Sequence, residues 1–405
     1  MKLFLSKRAT AFSFFNVFII FVDMKYFVIA GEASGDIHAA QLIKALRAQD
    51  AKAEFKFFGG DFMQDACGNA PVVHYKDMAY MGIIEVVKHL GTIMGFLKTA
   101  RKIVDDWRPD AVVLVDYPSF NLKVAKYAYS KNIPAFYYIS PKVWAWKEYR
   151  VKDIKKYVKQ MYSILPFEPA FFARHNYKVE YVGNPSVNEI DEARKQFHSV
   201  ADFCNENAIS TEKDIIAVLP GSRKQEIRDN LKEMLAAVAN FPEYQPVVAG
   251  APGLTRDFYD SVFASLGYSE NMPKVIFGKS FELVHHAKAA VVTSGTATLE
   301  TAIIGTPQVV CYRGGGSRLV YEIYSRVLKV KYVSLPNLIA DAPVVKELLL
   351  HFCNAQNIAT ELGLLLDKNS EHRAKMLQGY DEIARLLTHA NSAGTAAQGI
   401  INSLK

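Results

Sequence analysis

The stretch "AKAAVVTSGTATLETAIIGTPQVVCYR" (residues 287–313) decides the fold class of this chain. An apolar run ends at Val292, a Thr-Ser-Gly-Thr turn follows, and a helix-like segment leads to a second apolar run. Apolar runs without polar alternation, separated by a helix, indicate strands of a parallel sheet that is covered on both faces. The stretch therefore predicts a strand-helix-strand unit of an α/β domain.

The same alternation occupies the chain from Met24 onwards and starts afresh at "DIIAVLPGSRKQEI" (214–227). A chain of 405 residues is also too long for one compact core. We predict two Rossmann-like parallel-sheet domains that face a cleft, the first over residues 24–188 and the second over residues 189–405. The segment from about residue 360 is expected to be helical, and its helices can pack back on the first domain.

Composition limits the function classes. Hydrophobic residues make up 50% of the chain and charged residues 22%, which is typical of a globular protein. The net charge of +7 comes from scattered lysines and arginines with one denser run, "KEYRVKDIKKYVK" (147–159). Nucleic-acid binding is not predicted, because it usually requires such charge in one stripe. The dense run is interpreted as a solvated helix face, with an anion patch as the alternative.

The first 23 residues differ from the rest of the chain. Their apolar run is shorter than the roughly 20 residues of a spanning helix. It resembles the apolar part of a signal peptide, but no small-x-small cleavage site follows it. We expect residues 1–23 to be an extension, either a non-native start or disordered, and Met24 to be the true start. A membrane-associating tail is the alternative.

The turn within "VVTSGTATLETAIIGTP" (291–307) is a candidate nucleotide site. Ser294, Gly295 and Thr296 open a helix, whose free N–H groups and positive end favour a diphosphate. Glu300, one turn inside, can accept the hydroxyls of a ribose. An ordinary capped helix with a surface glutamate is the alternative.

A second candidate turn lies in "VLPGSRKQEI" (218–227). Ser222 and Arg223 open a helix there. An arginine beside the positive end of a helix is unfavourable unless an anion is bound, so Arg223 is a candidate for holding a leaving phosphate. A solvent-exposed arginine is the alternative.

Three polar positions are candidates for direct chemistry. Asp116 ends the buried strand of "PDAVVLVDYPSF" (109–120), where it can act as a general base or form a turn before the proline. Glu32, in "YFVIAGEASGD" (26–36), faces the cleft or caps the next helix. Asn337, in "YVSLPNLIA" (332–340), binds substrate or makes a turn.

The amphipathic stretch 81–107 interleaves apolar residues with lysines and an arginine. It predicts an interfacial or acyl-binding element, and a packed core helix is the alternative. The residues predicted to contact acyl chains are Met81, Ile84, Val87, Ile93 and Phe96.

Several patterns are absent from the sequence. It has no Asp-x-Asp triplet, no Gly-x-Ser-x-Gly elbow and no Cys/His pairing at metal-site spacing. We therefore expect no metal, no cofactor and no covalent intermediate. The remaining chemistry is direct displacement by an acceptor hydroxyl, with one base and a held leaving group. The four irregularly spaced cysteines fit a reducing cytosol.

An ordered set of segments from Lys25 to about Leu350 resembles the lipid-A-disaccharide synthase family, which has the two-domain glycosyltransferase B-type fold. The segments are "GEASGD", "MGIIEV", "VDYPSFN", "SPKVWAWK", "LPFE", "VGNP", "LPGSR…EI", "SGTATLE" and "YVSLPNL". Each alone is a weak signal, whereas the ordered set is highly specific. Residues 1–23 are the departure, since the family lacks them.

The resemblance implies an inverting, metal-independent transfer of 2,3-diacylglucosamine from its UDP derivative to the 6-hydroxyl of 2,3-diacylglucosamine 1-phosphate. Asp116 matches the suspected general base of the family, Arg223 the arginine near the leaving diphosphate, and Asn337 a polar residue important for activity. Glu32 matches the acidic loop residue, whose role stays open. UDP would be held by Ser222, Arg223, Ser294, Gly295, Thr296 and Glu300.

The resemblance also implies a cytoplasmic enzyme at the inner-membrane surface, with a homo-oligomer as an open possibility. Two other function classes stay open. One is another UDP-sugar enzyme of the same fold, either a peptidoglycan-type N-acetylglucosaminyltransferase or a UDP-sugar epimerase. The other is a non-enzymatic nucleotide-sugar or anion binder.

Overall fold

The computed structural model of the chain describes residues 23–78, 90–313, 331–387 and 391–405. They form two parallel β-sheets, and every strand pair in both is parallel. The strands of the first sheet are β1 (Lys25–Ala30), β2 (Glu54–Gly59), β3 (Val73–His74), β4 (Ala111–Val115), β5 (Ala135–Tyr138), β6 (Gln160–Ser163) and β7 (Glu180–Tyr181). Those of the second are β8 (Asp214–Leu219), β9 (Tyr244–Gly250), β10 (Lys274–Phe277), β11 (Ala289–Thr293), β12 (Gln308–Tyr312) and β13 (Lys346–Leu349).

Helices connect the strands. Those that precede β8 are α1 (Ala33–Gln49), α2 (Asp61–Cys67), α3 (Tyr75–Met78), α4 (Leu90–Trp107), α5 (Pro118–Ser130), α6 (Val143–Trp146), α7 (Val151–Tyr157), α8 (Glu168–Ala173), α9 (Pro185–Arg194) and α10 (Val200–Glu206), with a 3-10 turn at Glu148–Arg150. Those that follow are α11 (Lys224–Val238), α12 (Arg256–Ser265), α13 (Ser280–His286), α14 (Thr296–Ile304), α15 (Leu335–Ala340), α16 (Ala355–Leu366), α17 (Glu371–Leu386) and α18 (Ser392–Leu404), with a 3-10 turn at Leu350–Phe352.

The central strand β1 shows why the apolar runs are unbroken. Phe27 and Ile29 point into one buried cluster, and Tyr26 and Val28 point into another on the opposite face. All four side chains are fully buried. Successive residues of a strand face opposite sides of the sheet, so a sheet with helices on both faces needs apolar residues at every position. The prediction of two Rossmann-like parallel-sheet domains is confirmed.

The order of the strands fixes where ligands can bind. The first sheet runs β3-β2-β1-β4-β5-β6-β7 and the second β10-β9-β8-β11-β12-β13. The order along the chain reverses between β1 and β4 in the first sheet and between β8 and β11 in the second. Open parallel sheets bind ligands at the carboxyl ends of the strands that flank such a reversal. The loops after these four strands are therefore the places to look for a site.

The last helix, α18, packs against the first sheet. Ala396 and Ile400 belong to the same buried cluster as Val28 of β1. The hydroxyls of Tyr138 and Ser392 lie 3.2 Å apart, so β5 is also joined to the start of α18. Strand β1 and the last helix thus contribute to the same core, while the predicted boundary at residues 188/189 stays a prediction.

Asp36, one of two carboxylates in the first turn, has a structural role. Its side chain is buried and accepts hydrogen bonds from the backbone N–H groups of Gly60 (2.6 Å), Phe62 (3.1 Å) and Met63 (3.2 Å). These groups lie at the start of α2, where no partner exists within the helix. Asp36 therefore caps α2 rather than its own helix.

Within the described ranges, no helix is long and apolar enough to cross a membrane. All four cysteines are buried and none forms a disulfide.

Candidate active site

The strand ends beside both reversals carry most of the predicted site residues. Glu32 follows β1, and Asp116 follows β4. In the second sheet, Ser222 and Arg223 follow β8, and Ser294 follows β11. Residues that are far apart in the sequence are thereby brought to two sheet edges.

Asp116 and Tyr117 form a strained corner between β4 and α5. Their φ angles are 43° and 48°, in the left-handed region that most residues avoid. Such conformations cost on the order of 1–3 kcal/mol each and persist only where the surroundings enforce them. Here Asn121 Nδ2 donates a hydrogen bond of 2.7 Å to the Asp116 carbonyl, and the Tyr137 hydroxyl donates to the same oxygen. Asn121 therefore holds the corner from the first turn of α5, and it is not the cap of that helix.

Gly31 makes room for this corner. A Cβ atom at position 31 would lie 2.4 Å from Cγ of Tyr117. Because a whole ring stands in that space, a larger residue would push Tyr117 away from β1. The first turn and the Asp116 corner therefore fit together only through this glycine.

Charges from both sheets meet near Glu32. Burial raises the pKa of Glu32, and the charge of Asp116 raises it further. The cations of Arg223 and Lys142 act in the opposite direction and lower that pKa. Since Arg223 follows β8 and the other three follow strands of the first sheet, the site draws on both domains.

Asp116 is half-buried, and burial is the main influence that raises its pKa. Lys142, the backbone N–H of Tyr117 and His38 lower it. Lys142 lies just beyond β5, the neighbour of β4, and its side chain is exposed. Sequence reasoning did not single out this lysine, although it stands inside the "SPKVWAWK" segment.

Arg223 is held by its own helix. Its Nη1 atom lies 2.7 Å from Oε1 of Glu226, and its side chain is 53% exposed. Glu226 Oε2 also accepts the N–H of Ser222 at 3.3 Å. Gly221 has a φ of 118°, and a Cβ atom there would lie 2.8 Å from the same oxygen. Glu226, whose role sequence reasoning missed, thus shapes the turn that presents Arg223.

The turn after β11 is open. Gly295 and Thr296 are exposed, and a Cβ atom at Gly295 would meet no atom within 4 Å. The Ser294 hydroxyl donates to the Val333 carbonyl at 3.5 Å, which ties this turn to the segment before α15. The start of α14 is therefore accessible to a ligand.

Glu300 lies one turn further along α14, between the two domains. Burial raises the pKa of Glu300 to about 7, the charge of Glu189 raises it, and His38 lowers it. His38 Nδ1 and Glu189 Oε1 are 3.2 Å apart. Glu300 thus stands beside a pair formed by α1 and α9.

Asn337 differs from the other predicted residues in being fully enclosed. Its Nδ2 atom donates to the Val345 carbonyl and to Glu347, both at 2.9 Å, and its Oδ1 accepts the Val345 N–H at 2.8 Å. Glu347 also accepts the N–H and hydroxyl of Ser334. Asn337 therefore lies within α15 rather than in a turn, and its amide joins this helix to Val345 and Glu347; its predicted role in activity stays a prediction.

The predicted acyl-contact residues are only partly covered. Met81, Ile84 and Val87 lie outside the described residues. Ile93 and Phe96 of α4 are partly buried and pack against the core, while Met94 between them is 51% exposed. Among the described residues, no group of three or more acidic, histidine or cysteine side chains could hold a metal ion.

Comparisons with known proteins identify the family. The family model described as lipid-A-disaccharide synthetase matches residues 26–399. A lipid-A-disaccharide synthase of Acidobacterium capsulatum is 40% identical over 380 residues, covering 91% of this chain and 93% of the relative. One of Myxococcus xanthus is 37% identical over 382 residues, covering 93% and 97%.

The chain belongs to the lipid-A-disaccharide synthase family. It is therefore a glycosyltransferase of lipid A biosynthesis, as the resemblance predicted. Among solved structures, UDP-GlcNAc 2-epimerase from Neisseria meningitidis bound to UDP-GlcNAc is similar with a TM-score of 0.63 and 13% identity, covering 94% of this chain and 99% of that one. At that identity the likeness shows the fold alone, and it agrees with the predicted two-domain B-type architecture.

A buried carboxyl supports the "SPKVWAWK" segment by which the chain resembles the synthase family. Glu168, in the "LPFE" segment, is 1% exposed and accepts the indole N–H of Trp144 at 3.0 Å and the Leu165 N–H at 3.4 Å. Burial raises the pKa of Glu168 to about 7 against the opposing effect of these hydrogen bonds. Sequence reasoning missed this pairing, because the partners lie 24 residues apart.

We expect Glu168→Gln to gain stability relative to the wild type as pH rises from 5 to 8. The carboxyl titrates near 4.5 when unfolded and about 7 when folded, so its stabilising contribution is complete below 4.5 and lost as pH rises through 7. Glutamine keeps the acceptor for Trp144 and does not ionise. Between pH 5 and pH 8, the free energy of unfolding of the variant should rise relative to that of the wild type by about 1–3 kcal/mol. Melting temperatures at several pH values measure it, with the exposed Glu180→Gln as control. Parallel wild-type and variant curves would contradict it.

Proposed function

We propose that this enzyme transfers 2,3-diacylglucosamine from UDP-2,3-diacylglucosamine to the 6-hydroxyl of 2,3-diacylglucosamine 1-phosphate. The products are UDP and a β-1,6-linked disaccharide 1-phosphate. The observation that carries the proposal is that Asp116 and Arg223, which follow strands of different sheets, both act on the charge of Glu32, in a member of the synthase family.

Asp116 acts as the general base. Its carboxylate takes the proton of the acceptor 6-hydroxyl while that oxygen bonds to the anomeric carbon of the donor. The bond from this carbon to the diphosphate oxygen breaks on the opposite face, so the configuration inverts. The corner at Asp116 and Tyr117, held by Asn121 and Tyr137, fixes the base in place.

Arg223 and the exposed turns hold the leaving UDP. The guanidinium neutralises the negative charge that develops on the diphosphate, which requires it to exchange Glu226 for the phosphate oxygens. Ser222, Ser294, Gly295 and Thr296 supply donors from two loops, and Glu300 accepts ribose hydroxyls.

Three further parts of the proposal rest on the chemistry of the substrates. Residues 24–188 bind the acceptor and residues 189–405 the donor. Because both substrates carry acyl chains, the enzyme works in the cytoplasm at the inner-membrane surface, with the stretch around Ile93 and Phe96 facing the lipid. Glu32 orients the acceptor beside Asp116.

The test is mass spectrometry of the product formed by the purified enzyme from the two defined acylated substrates. We expect the mass of the tetraacyl disaccharide 1-phosphate, with one UDP released per disaccharide. UDP-N-acetylglucosamine offered with the same acceptor should give less than about one hundredth of the rate, since each lost acyl chain removes apolar contact. No disaccharide from the two acylated substrates, or epimerisation of UDP-N-acetylglucosamine as the main reaction, would contradict the proposal.

A further inference from the structure

We propose that Asn230 is a positioning residue that holds the ends of three strands of the second sheet together and so sets the affinity for the diphosphate of UDP. This inference rests on the proposed function, because it assumes that the turns after β8 and β11 hold the donor.

Asn230 lies in the second turn of α11 and is 2% exposed. Its Nδ2 atom donates to Thr293 Oγ1 at 2.9 Å and to the Pro220 carbonyl at 3.3 Å. Its Oδ1 atom accepts the backbone N–H of Arg313 at 3.2 Å. One amide thus contacts the ends of β8, β11 and β12.

Glu233, one turn later on α11, supports the same connection. Its carboxylate pairs with the Arg313 guanidinium and accepts the Ala355 N–H at 2.9 Å. Asn230 and Glu233 of α11 therefore hold Arg313, the residue that follows β12, by its backbone N–H and by its guanidinium.

The reason for this arrangement lies where the strands end and the hydrogen bonding of the sheet stops. Past the last paired residue, the carbonyl of Pro220 and the N–H of Arg313 have no partner in the sheet, and such groups require one when buried. Asn230 supplies partners for both and links them to Thr293. The spacing between the neighbouring loops is thereby set by one rigid group.

That spacing matters for a diphosphate. Pro220 precedes the turn with Ser222 and Arg223, and Thr293 precedes Ser294. Donors from two loops can hold one ligand only when their separation is kept to within about 0.5 Å. Asn230 contacts neither turn's side chains, so it acts on the donor through the loops that it joins.

Asn230→Ala is expected to raise the dissociation constant for UDP about tenfold, as the loss of one or two hydrogen bonds predicts. KM for the acylated donor should rise similarly, while KM for the acceptor changes less than about twofold. A merely structural defect would raise both KM values. The matched control is Asn240→Ala, which removes an exposed amide just past the end of the same helix.

Thr293→Val tests the same connection without touching α11. It should raise the dissociation constant about threefold, and the double variant should match Asn230→Ala alone because both changes break one connection. Isothermal titration with UDP measures the wild type and the four variants. If Asn230→Ala fails to fold, Thr293→Val decides the question.

The outcomes separate this inference from the proposed function. If the wild type binds UDP and either Asn230→Ala or Thr293→Val binds it with the same affinity, the role of Asn230 is overturned and the donor site stands. Equal increases in both KM values also overturn it. No UDP binding by the wild type overturns the donor site and this role together.

Discussion

Asp116→Asn lowers kcat by about 10²–10⁴-fold if Asp116 is the general base. Asparagine has nearly the same shape and, like aspartate, tolerates a positive φ, so the corner at 43° is kept while the proton acceptor is lost. Asp116→Ala would also remove the side chain that favours this conformation, and its effect would mix strain with chemistry. The measurement is initial rate with both acylated substrates at saturation.

The pH profile adds a second readout to this variant. Burial raises the pKa of Asp116 above its usual range, and the base works only when ionised. The wild-type kcat/KM should therefore fall as pH drops through that raised pKa, and this acid limb should be absent in Asp116→Asn. The charge of Asp116 raises the pKa of Glu32 and of Tyr137, and the cationic groups Lys142 and His38 lower the pKa of Asp116 itself.

A matched control is Asp110→Asn. Asp110 precedes β4 at the opposite end of the same strand, where it accepts the Lys25 N–H at 2.8 Å. We expect wild-type turnover from it. Turnover of Asp116→Asn within about threefold of the wild type, with UDP binding intact, would remove Asp116 as the base.

Arg223→Ala is expected to lower kcat by about 10²–10³-fold, because a cation at the leaving diphosphate is worth several kcal/mol in such sites. The loss has a second component. Without the guanidinium, the Glu226 carboxylate loses its cationic partner, and its negative charge repels the same diphosphate. Arg223→Ala with Glu226→Gln should therefore recover part of the rate, on the order of threefold to tenfold.

Arg256→Ala provides the control for Arg223. Arg256 forms a comparable exposed ion pair on α12, where its Nε atom lies 2.8 Å from Oδ1 of Asp260. This helix is outside the loops assigned to the donor. It should retain wild-type kinetics and UDP affinity. Equal losses of kcat in Arg223→Ala and Arg256→Ala would indicate a general charge effect. If adding Glu226→Gln to Arg223→Ala recovers no rate, repulsion by Glu226 is excluded.

Local sequence patterns predicted most of the fold. The runs at β1, β4, β8 and β11 are apolar without alternation, except for one terminal polar residue in β1, β8 and β11, because helices cover both faces of each sheet. The turns after them carry Gly, Ser, Asp and Glu because the carboxyl edge is left open to solvent and ligand. Both properties concern neighbouring residues, so the sequence displays them directly.

The contacts that complete the site join residues far apart in the chain, and no local pattern displays them. Asn230 reaches Thr293 across 63 residues and Arg313 across 83. Tyr137 holds the Asp116 carbonyl from the next strand, and Asp36 caps a helix 24 or more residues away. Each of these contacts is made by one polar side chain among apolar neighbours. The sequence does not show whether such a side chain forms a turn, caps a helix or bonds a distant strand.

The sequence by itself determined the α/β class, the family and which loops carry polar chemistry, because periodicity and ordered motifs are properties of the linear chain. Only the tertiary structure decided that Asp116 and Arg223 both act on the charge of Glu32, that Asn337 is enclosed, and that Asn230 joins the ends of three strands. The physical reason is that strand order sets which loop ends meet. Buried polar groups then take whichever partners that order brings within hydrogen-bonding distance.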